Sequence, residues 1–147
     1  MIKDNILEQT TCRKFLGVYI DDKLKWNQHL NHIAGKMSRN LGLIGRVSRI
    51  LPSDTLHILY YSLIYPHLLY CCIIWGAACA TSLHKLKVLQ NRAVRLITRA
   101  SFRASFSPIF KQLYILKLID IHRLQIAMFM FGSNHPVYRT AAWCIVR

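Results

Sequence analysis

The sequence predicts a mainly α fold: a short N-terminal β-hairpin followed by a helical bundle. Three observations carry this. Residues 12–20, CRKFLGVYI, gather aromatic and β-branched side chains in one short run, which is how a strand reads. From Asn27 onward the apolar residues recur every three or four positions, the period of a helix. Hydrophobic residues make up 53% of the 147, enough to fill a core behind several helices. The chain divides accordingly into a hairpin over residues 1–26, a helical region over 27–131, and a tail over 132–147 that shows no clear period and is a candidate for disorder.

Taken in order, the apolar piece NIL near the N-terminus precedes EQTT, which could turn the chain into the strand run that follows. Along that run Leu16, Val18 and Ile20 would point one way, and Phe15, Gly17 and Tyr19 the other. In NQHLNHIAGKMSRNLGLIGRVSRIL the residues Leu30, Ile33, Met37, Leu41, Ile44 and Val47 trace a helix that Pro52 ends. Gly35, Gly42 and Gly45 weaken it and suggest close packing. The next helix begins at Ser53 or Asp54, either of which can accept from the first free amides. Pro66 should kink or split it, and Gly76 should close it. In TSLHKLKVLQNRAVRLITRA, the residues Leu86, Leu89, Ala93, Leu96 and Ile97 fall within an arc of about 100°. SFRASFS is a polar break. SPIFKQLYIL reads as a short helix with Ser107 as cap and Pro108 at its first position. DIHRLQIAMFMF reads as a last helix capped by Asp120.

Charge supplies the first functional constraint. Twenty Lys and Arg face 6 Asp and Glu, a net charge of +14. Such an excess favours a polyanionic partner, either nucleic acid or an anionic membrane surface. The basic residues are also patterned. Lys36, Arg39, Arg46 and Arg49 lie within about 140° on the first helix, and Lys85, Arg92, Arg95 and Arg99 within about 80° on the helix after residue 80. Acids are almost absent from both stripes. If the stripes faced one groove they could neutralise several phosphates.

Other chemistries are less well supported. Five Cys without a Cys-x-x-Cys spacing read as buried thiols in a reducing compartment. The N-terminal residues hold Lys3, Asp4 and Glu8 and no apolar run, so they do not read as a secretory signal. His67, Cys71, Cys72, Cys79 and His84 could assemble a metal site, but they match no zinc spacing. His29 and His32 read as surface or packing residues. No charge occurs between Asp54 and Lys85, and residues 58–80 are long enough to cross a bilayer. Against that stand His57, Ser62, Pro66, His67 and several tyrosines. Tyr19-Ile20-Asp21-Asp22 has the form of a polymerase's catalytic turn. Two-metal chemistry, however, needs carboxylates converging from different strands. The acids are only Asp4, Glu8, Asp21, Asp22, Asp54 and Asp120, so Asp21 and Asp22 read as the close of a strand and the start of a turn.

Four segments, KFLGVYIDDKLKWNQHL, LYYSLIYPHLLYCCIIWG, LKVLQNRAVRLIT and LYILKLIDIHRLQIAMFMF, stand in an order and spacing that resembles the C-terminal part of reverse transcriptases from non-LTR (LINE-type, Jockey-like) retrotransposons. The resemblance covers residues 14–131. It implies that Lys14, Phe15, Leu16 and Gly17 form a primer-grip hairpin at the end of the palm. It also implies that the helices form a thumb-like bundle and connection region contacting an RNA/DNA primer–template duplex. In that family the catalytic Asp-Asp turn lies well upstream, so Tyr19 to Asp22 matches the family's Leu-Gly-Val-x-Ile-Asp instead. The resemblance further implies a fragment without fingers and palm, with no catalytic or metal-binding residue and no cofactor of its own, although the parent polymerase uses Mg²⁺. Its partners would be the primer–template and the missing fingers–palm portion. The stretch after Gly132 departs from the family. Two other readings stay open at this stage: a small basic membrane protein spanning once through residues 58–80, and a domesticated, non-catalytic nucleic-acid-binding module. An intracellular site, nuclear or cytoplasmic, fits the composition without deciding between the two.

Overall fold

The computed structural model describes residues 10–100 and 105–132. Strands β1 (Cys12–Phe15) and β2 (Val18–Asp21) pair antiparallel, with Cys12 opposite Asp21 and Phe15 opposite Val18. The hairpin is present, but its turn is not the one the composition suggested. The chain reverses inside the strand-like run, at Leu16 (φ 45°) and Gly17 (φ 83°). Two left-handed central residues give a two-residue turn whose twist matches that of the strands, and this geometry fits one continuous CRKFLGVYI into two short strands. The expected turn at EQTT falls largely outside the described residues. Past β2, the Asp21 carboxylate accepts the Lys25 N–H at 2.7 Å and its carbonyl accepts the Leu24 N–H at 3.1 Å. Asp21 thus closes a strand and starts a turn, as its type and place predict.

Helix α1 (Asn27–Val47) buries Leu30, Ile33, Met37, Leu41 and Ile44 along one stripe. Gly35 and Gly42 face open space rather than a close neighbour. The uncharged stretch is divided into three pieces: α2 (Ser53–Leu63), α3 (Tyr65–Leu69) and α4 (Cys72–Trp75). Pro66 has no N–H to continue the α2 ladder, so the split falls at Ile64. Cys71, held at φ 51°, makes the second break. At the start of α2 it is Pro52 in extended backbone that takes the cap position, with Ser53 and Asp54 inside the first turn, where Asp54 still suits the helix dipole. Among the described residues no helix is long and apolar enough to cross a membrane.

Helix α5 (Ala80–Thr98) lies beside α1 and runs in the same direction. Ser82 bonds Asn27 near the two starts, and Arg99 reaches the Ser48 carbonyl near the two ends. Two short steps complete the chain: α6 (Phe106–Gln112), capped from Ser105 rather than Ser107, and α7 (Leu118–Gly132), which starts two residues before Asp120. Leu30, Met37, Leu56, Tyr60, Leu68, Trp75, Leu86, Ile97 and Ile121 belong to one continuous core. On its outer side α7 leaves Leu124, Met128, Phe129 and Phe131 exposed. The tail from residue 133 lies outside the described residues.

Two local constraints lock the helices together. The first is Gln90, 2% exposed, on α5. Its amide donates to the Tyr60 hydroxyl at 3.0 Å and to the Leu116 carbonyl at 2.8 Å, and its carbonyl accepts the Leu118 N–H at 2.9 Å. Burial pushes the Tyr60 phenol well above its ordinary range, so it stays a neutral partner. The second is Gly76, where a Cβ would collide with Cδ2 of His122 and lie only 2.7 Å from its Cγ, so α4 and α7 approach through the space that a side chain would fill.

Replacing Gln90 by Leu keeps the volume but leaves the buried Tyr60 hydroxyl and Leu118 amide, and the part-buried Leu116 carbonyl, without that partner. The expected loss of unfolding free energy is about 3 kcal/mol or more in urea titration, since each orphaned group costs roughly 1–3 kcal/mol. Tyr60→Phe removes one bond and should cost only about 1 kcal/mol. Equal losses for the two variants would contradict this account.

Candidate nucleic-acid interface

The residues expected to hold nucleic acid fall into three places. At the hairpin tip Phe15 is 63% and Leu16 75% exposed, an unusual display for large apolar side chains. The tip is not loose. Tyr70, at the end of α3, donates its hydroxyl to the Leu16 carbonyl at 2.5 Å and sets its ring 3.6 Å from where a Gly17 side chain would begin. The Tyr19 N–H donates to His29 Nδ1 at 3.4 Å, tying β2 to α1. Lys14 lies 5.8 Å from the centre of the Tyr19 ring on the same face of the hairpin.

On α1 the stripe divides. Arg39 and Arg46 are exposed, and Arg49 is exposed in the turn after the helix. Lys36 is half-buried and lines a cavity between the hairpin tip, α1 and α3. On α5 the structure gathers Arg92, Arg95 and Arg99 along one groove of about 890 Å³, floored by Val88, Leu96 and Phe106. Of α1 only Ser48 reaches that groove, so Lys36 and the α5 arginines line separate cavities rather than one.

The α5 cations are also unequal in what they do. Arg99 follows the last turn of α5 in left-handed backbone, and its guanidinium donates to the carbonyls of Ser48 at 3.1 Å and Leu51 at 2.9 Å. It satisfies carbonyls left open beyond the end of α1, which is a structural task. Lys85 donates to Asn31 Oδ1 at 2.9 Å and bridges the two helices. Arg95 stacks its guanidinium 4.1 Å from the centre of the Phe106 ring, which fixes its plane at the groove wall. Arg92 is exposed at the groove's edge.

Among the described residues the acids do not converge on a metal site. Asp21 serves the turn after β2, Asp54 lies in the first turn of α2 and Asp120 in the first turn of α7. Among the described residues no three His, Cys, Asp or Glu side chains are placed to hold a metal ion, and the candidate set around His67 and the cysteines does not assemble. Cys72 is buried, and its thiol is pushed up to about 11 by desolvation. Cys79 is exposed, and hydrogen bonds from Thr81, side chain first and then backbone, lower its thiol from the ordinary value.

No family model and no solved structure matches the chain. Curated relatives do. It is 27% identical over 123 residues to the probable RNA-directed DNA polymerase from transposon X-element of Drosophila melanogaster, covering 81% of this chain and 13% of that protein. It is 30% identical over 96 residues to the probable RNA-directed DNA polymerase from transposon BS of the same fly, covering 63% and 11%. It is 29% identical over 123 residues to the RNA-directed DNA polymerase from mobile element jockey, also of Drosophila melanogaster, covering 81% and 13%. This chain resembles the RNA-directed DNA polymerases of non-LTR retrotransposons. It spans only 11–13% of the length of these polymerases, so the likeness concerns one segment of a much longer protein.

In this relative of reverse transcriptases, sequence reasoning found the basic residues but not their supports. Tyr70, Phe106 and His29 position the hairpin and the groove, and none carries a motif. For Tyr70 and Phe106 the one available signal is a place beside a chain break, at Cys71 and at the polar stretch before α6, whereas His29, in the first turn of α1, has none.

Arg99→Ala should therefore lower stability by about 0.5–1 kcal/mol, the usual worth of a cation at a helix C-terminus. Arg92→Ala should leave the urea midpoint unchanged. A larger stability loss for Arg92→Ala would mean that the two roles are assigned the wrong way round.

Proposed function

We propose that this chain is a primer–template-holding segment of a retrotransposon reverse transcriptase, and that it binds an RNA/DNA duplex without catalysing its extension. The observation that carries the reading is the groove on α5. Arg92 and Arg95 stand there with no carboxylate among the lining residues, and the hairpin, held toward the other end of α1 by His29, displays Lys14, Phe15 and Leu16 to solvent. Cations in such a groove contact phosphates, which position a duplex without reading its sequence. The rigid apolar tip, braced by Tyr70, gives the primer strand a surface to rest against. The similarity to transposon polymerases supports nucleic acid as the polyanion.

Phosphoryl transfer in the parent polymerase depends on Mg²⁺ between converging carboxylates. Asp21, Asp54 and Asp120 occupy separate elements and turn or helix-start roles, so the described residues do not fit that metal. The partner supplying the chemistry is the fingers–palm portion of the same enzyme.

The test is equilibrium binding of an RNA/DNA duplex across salt concentrations. The slope of log K against log salt should be several times 0.9, about 0.9 for each phosphate neutralised. Arg92→Gln should weaken binding and reduce that slope by about one contact. Binding that ignores salt would refute the reading. Primer extension by the purified chain, abolished by Asp21→Ala, would refute its non-catalytic character.

A further inference from the structure

The cavity that takes Lys36 away from the α5 groove is a site of its own. It measures about 300 Å³ and lies where the hairpin tip, α1 and α3 meet. Gly17, His29, His32, Lys36, His67 and Tyr70 line it, and no carboxylate does. The sequence places these residues far apart, and the fold brings them to one point through the turn at Gly17 and the break at Pro66.

The hydrogen bonds define what each histidine offers. Tyr19 N–H donates to His29 Nδ1, so His29 is held neutral with its proton on Nε2. That Nε2 is buried and has no hydrogen-bond partner among the described residues. An Asn40 amide N–H reaches His67 Nε2 at 3.3 Å while the other reaches the Leu63 carbonyl at 2.7 Å, so His67 accepts through Nε2 and carries its proton on Nδ1. His32 packs its ring 5.0 Å from that of Tyr19 and has no such restraint. Lys36 brings a positive charge, which repels a metal cation. The set is therefore one of donors and cations, suited to an oxyanion.

We propose that this cavity is an oxyanion subsite that takes one phosphate group, held by Lys36, His32 and His67. The subsite rests on the nucleic-acid reading only for its choice of a strand phosphodiester over a free anion as occupant. Burial first, and then Lys36, Lys14 and Arg39, disfavour the imidazolium of His32. His29 is lowered by burial, His32 and Lys36, and His67 by burial, Lys36 and His32. The Tyr70 hydroxyl, which donates to Leu16, completes the groups that face the cavity. An oxyanion reverses the balance for His32, because it favours the charged ring. Proton uptake then accompanies binding. Affinity is highest below the free protein's His32 pKa and falls as pH rises through the higher pKa of the complex.

The experiment is imidazole NMR of the whole chain at several pH values between 5.5 and 7.5, titrated in one arm with sulfate and in the other with the dinucleotide TpT. Neither anion changes charge in that range. The expected result is a shift of the His32 and His67 ring signals by either probe, with affinity rising up to tenfold per pH unit as pH falls. TpT binding more tightly than sulfate identifies a strand phosphate as occupant, and the reverse identifies a free oxyanion. His32→Gln should abolish the pH dependence, and Lys36→Gln should weaken binding at every pH. Both side chains are only half-buried, and amide spectra would verify that the variants fold. Silent imidazoles with either probe, or a pH dependence that survives His32→Gln, would overturn the subsite. RNA/DNA duplex binding measured on the same samples separates the two readings. Duplex binding with silent imidazoles removes this subsite alone, whereas imidazole shifts without duplex binding remove the proposed function and leave the subsite.

Discussion

The fold depends on one buried amide. Gln90 sits on the core side of α5, where periodicity alone would place an aliphatic residue, and it satisfies groups from three places at once. The Tyr60 hydroxyl comes from α2, the Leu116 carbonyl from the connection between α6 and α7, and the Leu118 N–H from the first residue of α7. Each would be costly to bury alone. Leu cannot replace these bonds, and a shorter polar side chain cannot span them. The amide therefore fixes how far α7 lies along α5, which apolar packing by itself leaves loose. α7 in turn lays His122 against Gly76, so the position of α4 follows from the same register.

That register reaches the hairpin through the breaks in the uncharged stretch. Were α2 to continue past Ile64, Tyr70 would lie on one long apolar rod. Pro66 and the left-handed Cys71 instead turn the chain twice within a few residues. The Tyr70 carbonyl then accepts from the buried Trp75 ring N–H at 2.9 Å, while its hydroxyl reaches out to Leu16. A single residue thus ties the core tryptophan to the hairpin tip. The same breaks explain how a run without charge comes to be a core layer. It is cut into pieces too short to span a bilayer, and its tyrosines find partners within the protein.

What the sequence made legible was whatever repeats. The stripe on α1 and the extent of α5 follow from a period sustained over many residues, and both helices lie where that period puts them. The core face of α5 was only half legible. Leu86, Ala93 and Ile97 are buried as their spacing predicts, but Leu89 and Leu96 turn out to be flanking residues, while Gln90, Leu83 and Val94 complete the face. A polar side chain is dropped from an apolar stripe by its type, and only its partners reveal that it belongs there. The hairpin turn was hidden for a similar reason. Leu-Gly lacks the Asn or Asp that usually marks such a turn, and the strain at Leu16 is stabilised by a tyrosine far along the chain. The groove on α5 was legible as an arc of arginines, but not which of them would be engaged by the protein itself.

That last distinction governs how the net charge should be read. Salt dependence counts phosphates neutralised, and a cation already held by the protein keeps its charge but meets a phosphate only in the geometry that hold allows. Arg99 binds two carbonyls, Lys85 bridges to Asn31 and Arg95 is stacked on Phe106, so the stripe that looked uniform holds Arg92 at the groove's edge and three cations engaged by the protein itself. Arg39, Arg46 and Arg49 remain exposed on or just beyond α1. A charge of +14 therefore overstates the number of contacts any polyanion can make with this surface. The anchored cations still matter, since they shape the field and hold the groove open, but they do so as parts of the fold. For the proposed duplex surface, affinity should follow the few exposed arginines, and precision of placement should follow the anchored ones.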